Sequence, residues 1–403
     1  MAPRIGLKKT SMRFSFWMAA AGLGLAGSLA WHRPPAQAAP SEPEPQVTIV
    51  ATGDIMMHAD VKQAAAQHGF ESLWAGLKPV WRGADVAFAN LETPVAPTTG
   101  RPGRPYQFNA PEELPKALND AGLRVLSTAN NHAFDQGPRG VIETLCRLRG
   151  AGLFITGTGV TKEHAEQALF LNETGLRIAF LGFSDIFNND LDGNPSKPWV
   201  RKFDLDAACA AVAEARKQAD AVIVSVHWGI EDHHEPTPRQ QEAAARLVAA
   251  GADLILGHHP HVLQPVAWVY AGGRKGLAAY SLGNFISNQN RAYRATDKPV
   301  MGDERDGLLL RVILRKAPSG VEIVSAEGDP LWCENNWRDR TTGRVIRTVR
   351  IVDALKDAGA DEALLRARAV RIRDIVGPVV AVIPPQVVST GSPSGPVPAG
   401  SRP

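Results

Sequence analysis

Side chains that can bind metal ions recur at the ends of apolar segments along the first two thirds of the sequence. In chain order they are Asp54 and His58, Glu92, Asn131 and His132, His227, and His259 and His261. Most follow an apolar run and stand among small or turn-forming residues, as expected where a buried strand ends in a functional loop. Because ligands of open α/β sheets collect at the carboxyl ends of the strands, we expect these side chains to converge.

This set contains carboxylate, amide and imidazole groups and no thiolate, which suits Mn, Zn or Fe. His259 and His261 flank a proline in a tight turn and could direct two imidazoles to two adjacent metals. Glu92 could bridge those metals. Two ions about 3.5–4 Å apart can activate a water molecule and hold a phosphoryl group for in-line attack. The sequence therefore predicts a site for two divalent metal ions.

Two further acidic residues, Asp135 and Glu231, lie within a few residues of the predicted ligands. They could orient imidazole rings by accepting hydrogen bonds from them. The alternative is that both are solvated loop charges.

Apolar segments that precede these residues predict the elements that position them. Repeated strand–helix units, followed by strands joined without helices, indicate an α/β sandwich. Strands are predicted over residues 47–52, 86–89, 125–128, 176–183, 221–226, 254–256, 277–280 and 308–314, and helices over 59–68, 111–121, 138–149, 207–218, 240–250 and 353–371.

Seven stretches within residues 47–315 resemble the CapA family of poly-γ-glutamate capsule-synthesis proteins. That family is similar to the calcineurin-like metallophosphatases, so the resemblance implies a four-layer αββα sandwich of the metallo-dependent phosphatase type. The stretches are residues 52–58 (TGDIMMH), 88–94 (FANLETP), 106–108 (YQF), 128–137 (TANNHAFDQG), 227–231 (HWGIE), 251–265 (GADLILGHHPHVLQP) and 280–286 (YSLGNFI).

The resemblance also implies a role for each matched polar residue. One metal would be bound by Asp54, Glu92 and His261, and the other by Glu92, Asn131, His227 and His259. His132 would be the catalytic acid or a phosphate-binding group. Ser281 and Asn284 either contact the substrate or belong to a structural turn.

Two departures from the metallophosphatase pattern leave open whether the first metal is bound and by which ligands. Those enzymes carry Asp-x-His at the first motif, whereas His58 lies four residues after Asp54. They also use a bridging Asp where this chain has Glu92, whose side chain is longer. Two questions therefore stay open. His58 either binds a metal or does not, and the first metal is either bound in full, bound weakly or absent.

The N-terminus resembles a secretory signal. Lys8, Lys9 and Arg13 precede an apolar run over residues 14–31, and residues 36–38 (AQA) offer a small-residue cleavage site. An uncleaved membrane anchor is the alternative. Either way the chain is predicted to act in the periplasm or at the cell surface.

Domain boundaries follow from the changes in composition along the chain. We predict a signal peptide or anchor over 1–39, a linker over 40–46, the CapA-type domain over 47–330, a C-terminal extension over 331–387 and a disordered tail over 388–403.

Charge and cysteine content argue against two classes of protein. The net charge of +3 on 403 residues, without a long basic stripe, predicts no nucleic-acid partner. The three cysteines are far apart and form neither a metal-binding pattern nor a disulfide framework.

Two functions are compatible with these features. The first is a metal-dependent, phosphatase-like hydrolase that acts in synthesis, export or anchoring of poly-γ-glutamate or a capsule polymer. Its partners would be an anionic envelope polymer or phosphoester and a membrane synthetase complex. The second is a non-catalytic envelope module that binds the polymer or the synthetase complex, with the metals as anion clamps. The altered first motif favours the second function, and the Asn131–His132 pair favours the first.

Overall fold

Strands alternate with helices through the first two thirds of the chain and then follow one another directly. The computed structural model describes residues 44–188, 194, 197–337, 343–357 and 361–379. The strands in these ranges are β1 (Gln46–Ile55), β2 (Val86–Leu91), β3 (Val125–Ser127), β4 (Phe154–Thr156), β5 (Thr158–Gly159), β6 (Leu169–Glu173), β7 (Leu176–Ser184), β8 (Trp199–Val200), β9 (Ala221–His227), β10 (Leu254–His258), β11 (Val266–Ala271), β12 (Arg274–Ala279), β13 (Asn284–Ile286), β14 (Asp306–Ala317), β15 (Gly320–Asn335) and β16 (Ile346–Arg350).

Most helices begin at recognisable sequence signals. At the start of the seventh, for example, the Thr237 hydroxyl accepts from the Gln240 N–H while the Gln240 side chain binds back to the Thr237 backbone, which satisfies two otherwise unpaired groups. The described α-helices are α1 (Ala59–His68), α2 (Lys78–Arg82), α3 (Leu114–Ala121), α4 (Gly137–Gly150), α5 (Lys162–Glu166), α6 (Leu205–Arg216), α7 (Pro238–Ala250), α8 (Ile351–Ala354) and α9 (Glu362–Val376).

Two large sheets contain most of the strands. The first has the order β16-β15-β14-β1-β2-β3-β4, and β13 also pairs with β1. The second has the order β11-β12-β10-β9-β7-β6, and β5 pairs with β8 in a short third sheet. In both large sheets the central strands are parallel, as strand–helix units require, whereas β14 and β15 are antiparallel neighbours. The central strands of each sheet therefore end at one edge.

The two large sheets pack face to face, with helices on their outer faces. Apolar residues of β1 and β2 share one core with those of β7, β9 and β10, and the rings of Phe88 and Phe180 stack there with centroids 6.3 Å apart. The opposite face of the first sheet packs on α1 to α4. The opposite face of the second sheet packs on α6 and α7. This arrangement confirms the predicted four-layer αββα sandwich.

The C-terminal region continues this sandwich. The predicted boundary at residue 330 falls within β15, and β16 pairs with β15 at the edge of the first sheet. Leu365 and Ile372 of α9 lie in the core between the sheets. The single helix predicted over 353–371 is instead divided into α8 and α9.

Two arginines of α9, Arg368 and Arg371, bind carboxylates at the start of β14 and just before it. The guanidinium of Arg368 is 1% exposed and donates to Asp303 (2.7 Å) and Asp306 (2.9 Å). Arg371 binds Asp303 as well, and the same carboxylate accepts from His234 Nε2 (2.9 Å). These ion pairs connect α9 to Asp303 and to Asp306 at the start of β14.

Several predicted segments lie outside the described residues: the signal peptide or anchor (1–39), most of the linker (40–46) and the tail (388–403). Within the described part of the chain, no helix has the length and apolarity needed to cross a bilayer.

Candidate metal centre

Five of the predicted ligands meet at the carboxyl ends of strands from both large sheets. Asp54 is near the end of β1, Glu92 follows β2, His227 ends β9, and His259 and His261 follow β10. Ligand atoms of Asp54, Glu92 and His227 lie within 4.8 Å of one another, and so do those of Glu92, His259 and His261. All five side chains are buried. Glu92 belongs to both groups, which is the arrangement that a bridging ligand requires.

Glu92 is the least satisfied polar residue of this cluster. Its side chain is fully buried, and neither carboxylate oxygen has a hydrogen-bond partner among the described residues. Oε1 lies 3.6 Å from Nε2 of His227 and 3.8 Å from Nε2 of His261. Burial raises the pKa of Glu92 well above its usual value. A buried carboxylate without partners is costly, and a cation between it and the imidazoles would remove that cost.

The histidines also present unpaired nitrogens. Nδ1 of His227 and Nδ1 of His259 are buried and have no partner within the residues that the structure describes. Together with the oxygens of Glu92 they form a nitrogen- and oxygen-rich donor set. The residues therefore fit a divalent transition metal.

Asp54, in contrast, is firmly held by protein groups. Its Oδ1 accepts from Asn90 Nδ2 (2.9 Å) and lies 3.0 Å from His258 Nδ1, while Oδ2 accepts from the His259 N–H (3.3 Å). Burial alone would raise the pKa of Asp54, but hydrogen bonds with His258 and His261 lower it well below its usual value. These contacts thus favour the ionised form of the carboxylate.

His258 and Asn90 were not among the predicted site residues. His258 ends β10 directly beside His227 of β9, and its Nε2 is buried without a partner in the described part of the chain. Asn90 lies in β2 opposite Asp54. Both stand within the motif stretches, but the contact of Asn90 with Asp54 depends on strand register and that of His258 on the facing of the two sheets.

His261 is oriented by an amide. Its Nδ1 lies 3.1 Å from Oδ1 of Asn284, whose Nδ2 donates to the Glu304 carbonyl (2.9 Å). Burial alone would lower the pKa of His261, but the carboxylates of Glu92 and Asp54 raise it to about 10. A metal ion that bound here would replace this proton, since a ligating imidazole must be neutral.

We expect Asn284→Leu to weaken metal binding by about 10- to 100-fold, because the variant keeps the branched shape of the side chain but loses the acceptor that orients His261. Competition titration against a chromogenic chelator measures this. Ser281→Ala is the matched control in the same loop, since the buried Ser281 hydroxyl donates to the Val262 carbonyl (2.7 Å) and accepts from the Gly283 N–H (3.2 Å). Equal affinities for Asn284→Leu and the wild type would contradict the orienting role.

Asn131 and His132 follow β3 and lie beside the buried cluster. Oδ1 of Asn131 is 2.9 Å from Nε2 of His227. Nδ1 of His132 is 2.8 Å from Oδ2 of Asp135, and this oxygen also accepts from the Phe108 N–H (2.6 Å). The Asp135 side chain is only 1% exposed. Its carboxylate therefore fixes the orientation of the His132 ring.

A cleft of about 560 Å³ adjoins these residues. Asn131, His132 and Glu231 contribute to its walls, as does Tyr106, which is 86% exposed and has a positive φ of 61°. Glu231 is exposed and thus faces solvent at this cleft. His132 therefore lines an open cleft.

His58 does not join either group of ligand atoms. It occupies the N-cap position of α1 without a capping hydrogen bond from its side chain. Its Nδ1 accepts weakly from the Asn288 N–H (3.4 Å), and its ring contacts that of Phe108 with centroids 4.9 Å apart. Burial lowers the pKa of His58 to about 4. The spacing of four residues after Asp54 thus places this imidazole at the rim of the site.

The backbone is strained where the histidines follow β10. His259 and His261 have φ values of 96° and 59°, in the left-handed half of backbone space that residues with a Cβ rarely occupy. Gly257 precedes them, and a Cβ there would lie 1.9 Å from the Tyr280 carbonyl oxygen. Such strain is typical of functional sites, where the surrounding structure holds a residue in place.

The αββα sandwich thus carries a buried cluster of carboxylates and imidazoles at its strand ends. The profile of the family described as bacterial capsule synthesis protein PGA_cap matches residues 48–289. The chain belongs to this family, and the resemblance to CapA proteins is confirmed.

Two relatives illustrate the similarity. The chain is 35% identical to the PGA biosynthesis protein CapA of Bacillus subtilis (strain 168) over 240 residues, 59% of this chain and 62% of that protein. It is 34% identical to the capsule biosynthesis protein CapA of Bacillus anthracis over 252 residues, 60% of each. The matches thus span about three fifths of these relatives.

Solved structures with a similar layout have low sequence identity to this chain. A 5'-nucleotidase precursor from Thermus thermophilus has a TM-score of 0.44 at 15% identity, covering 82% of this chain and 58% of that one. The calcineurin-like phosphoesterase YfkN from Bacillus subtilis has a TM-score of 0.42 at 13% identity, covering 82% and 98%.

Proposed function

We propose that this protein is a metal-dependent hydrolase that serves the synthesis, export or anchoring of a poly-γ-glutamate or capsule polymer. The observation that carries the proposal is Glu92, a fully buried carboxylate that lies between His227 and His261 and has no hydrogen-bond partner among the described residues. The choice of polymer is based on family membership and on the names of the two CapA relatives.

Residues of the cluster would hold two divalent ions of Mn, Zn or Fe. The resemblance implies Asp54, Glu92 and His261 at one and Glu92, Asn131, His227 and His259 at the other. The structure instead groups Asp54 and His227 with Glu92 on one side, and His259 and His261 with Glu92 on the other. Bound there, such ions would supply Lewis acidity to a phosphoryl or carbonyl oxygen of the substrate. Glu92 is suited to bridge them because neither of its oxygens is taken by another described residue.

His132 would supply the proton in this reaction. Because Asp135 binds Nδ1, the other ring nitrogen, Nε2, is left to donate to the oxygen of the leaving group. The ring stands at the cleft, where that group would depart. Asp135 would also stabilise the charged imidazole before the transfer.

The substrate we propose is a phosphoester or an anionic envelope polymer, reached in the periplasm or at the cell surface after export by the N-terminal signal. A membrane synthetase complex would be the partner that delivers it. The cationic metals would attract such an anion to the buried cluster.

A second candidate function is a non-catalytic module that binds the polymer or its synthetase, with the metals as anion clamps. His58 favours it, because this residue lies outside both ligand groups and leaves Asp54 without the histidine of the Asp-x-His motif. Asp54 is also already bound to Asn90 and His258. Weak binding of the first metal would favour binding of the polymer over its hydrolysis.

An activity assay on the metal-loaded chain separates the two functions. We expect the chain loaded with Mn, Zn or Fe to hydrolyse p-nitrophenyl phosphate and to lose this activity after chelation. A chain that retains its metal and binds poly-γ-glutamate, but neither hydrolyses the ester nor shortens the polymer, would be the binding module instead.

A further inference from the structure

A second cavity, of about 590 Å³, shares no residue with the metal centre. It lies where β6 and β7 meet α6. Phe170, Leu181, Ala211 and Ala215 form an apolar wall, and Arg201 and Gln218 are among its polar residues. An apolar wall with a few polar groups is the usual composition of a small-molecule site.

Arg201 is the unusual residue of this cavity. It is only 7% exposed, and its guanidinium stacks on the ring of Phe183 at 4.3 Å. Its Nη1 is buried and has no hydrogen-bond partner in the described part of the chain. Burial lowers the pKa of Arg201 to about 10, so the group stays charged at neutral pH.

A buried cation of this kind calls for a counter-ion. Removing an ion from water is costly unless a partner compensates, and stacking on one ring offsets only part of that cost. Glu166, also in the lining, attracts Arg201 at a distance but is paired with Lys162 at 3.7 Å. The guanidinium therefore has room for an external anion.

The charges of the lining limit which anion fits. Glu214, the second acidic lining residue, is paired with Lys217 at 2.8 Å, so Arg201 remains the cation without a close partner among the described lining residues. One guanidinium balances one negative charge. Its planar fork matches a carboxylate, which it can bind through two parallel hydrogen bonds.

We propose that this cavity binds a small organic monocarboxylate, with the carboxylate on Arg201 and the apolar body against Phe170, Leu181 and the alanines of α6. The ligand would be released or taken up independently of the metal centre, since the two sites have no residue in common.

Benzoate is a suitable probe, because it joins one carboxylate to an apolar ring. Titrated into the full chain by calorimetry, it should bind saturably and at least tenfold more weakly to Arg201→Gln. Ala211→Leu, which keeps Arg201 and fills the apolar wall, should weaken binding by a similar factor. Benzyl alcohol, which lacks the charge, should not bind, and inorganic phosphate should bind more weakly than benzoate.

Three results would overturn the proposal. The first is the absence of saturable benzoate binding to the folded wild type. The second is equal binding to Arg201→Gln, which would place the ligand elsewhere, for example at the metal centre. The third is phosphate binding as tight as that of benzoate, which would make the site a general anion site. If Arg201→Gln does not fold, Ala211→Leu decides the outcome.

Discussion

Glu92→Gln should reduce the metal content of the purified chain by at least tenfold. The substitution keeps the size of the side chain and removes the negative charge, and Glu92 belongs to both groups of ligand atoms. Loss of a shared ligand should therefore affect both ions rather than one. Metal analysis by mass spectrometry, after dialysis against a limiting concentration of Mn, Zn or Fe, measures the effect.

The stability of the metal-free protein shows whether Glu92→Gln loses metal because it is misfolded. Burial raises the pKa of Glu92, so in the absence of metal a neutral glutamine should replace it at little cost. In chelator, Glu92→Gln should unfold at the same temperature as the wild type or a higher one. Glu231→Gln, at the exposed edge of the cleft, should keep the full metal content. A Glu92→Gln chain that retained both ions would exclude the bridging role.

The second large effect is expected at His132. His132→Gln should lower kcat for phosphoester hydrolysis by about 10²- to 10⁴-fold, the usual contribution of a general acid, while the metal content stays unchanged. His132 lies outside both ligand groups, and its ring is held by Asp135 rather than by the cluster. Steady-state kinetics on an artificial ester, with parallel metal analysis, separates the two quantities.

Controls distinguish a proton donor from a structural histidine. His164→Gln, on the exposed face of α5, should leave both kcat and metal content unchanged. Asp135→Asn should lower kcat less than His132→Gln does, because it weakens the orientation of the ring without removing it. Unchanged turnover in His132→Gln would refute the acid role, and a loss of metal would make His132 a ligand.

Much of the fold could be predicted from local patterns. The bounds of α1 agree with the predicted helix over 59–68, and the strands that end in ligands lie where the apolar runs are. The strand β15 is not predicted because only part of it is buried, and exposed and half-buried residues alternate along its first half. The extent of the domain was underestimated for the same reason, since β16 and α9 depend on contacts with β15 and the inter-sheet core.

Prediction of the site was limited by its long-range contacts. Parallel strands that end at one edge are enough to bring Asp54 and Glu92 together, whereas His227 comes from the second sheet. The contact of Asp54 with His258 joins residues 204 positions apart and depends on the facing of two sheets. His58 is predicted as a ligand because it is close to Asp54 in sequence, but it lies at the N-cap position of α1 and its Nδ1 accepts from the Asn288 N–H.

The place of β1 in the first sheet has a consequence for the kinetics of folding. This strand lies between β2 and β14, and its pairing with β14 joins opposite ends of the domain, for example Val47 with Leu314. A long loop must close before such pairs form, which slows folding. Until β14 has paired with β1, one edge of β1 can pair with strands of other chains. We therefore expect refolding to be slow and its yield to fall as protein concentration rises.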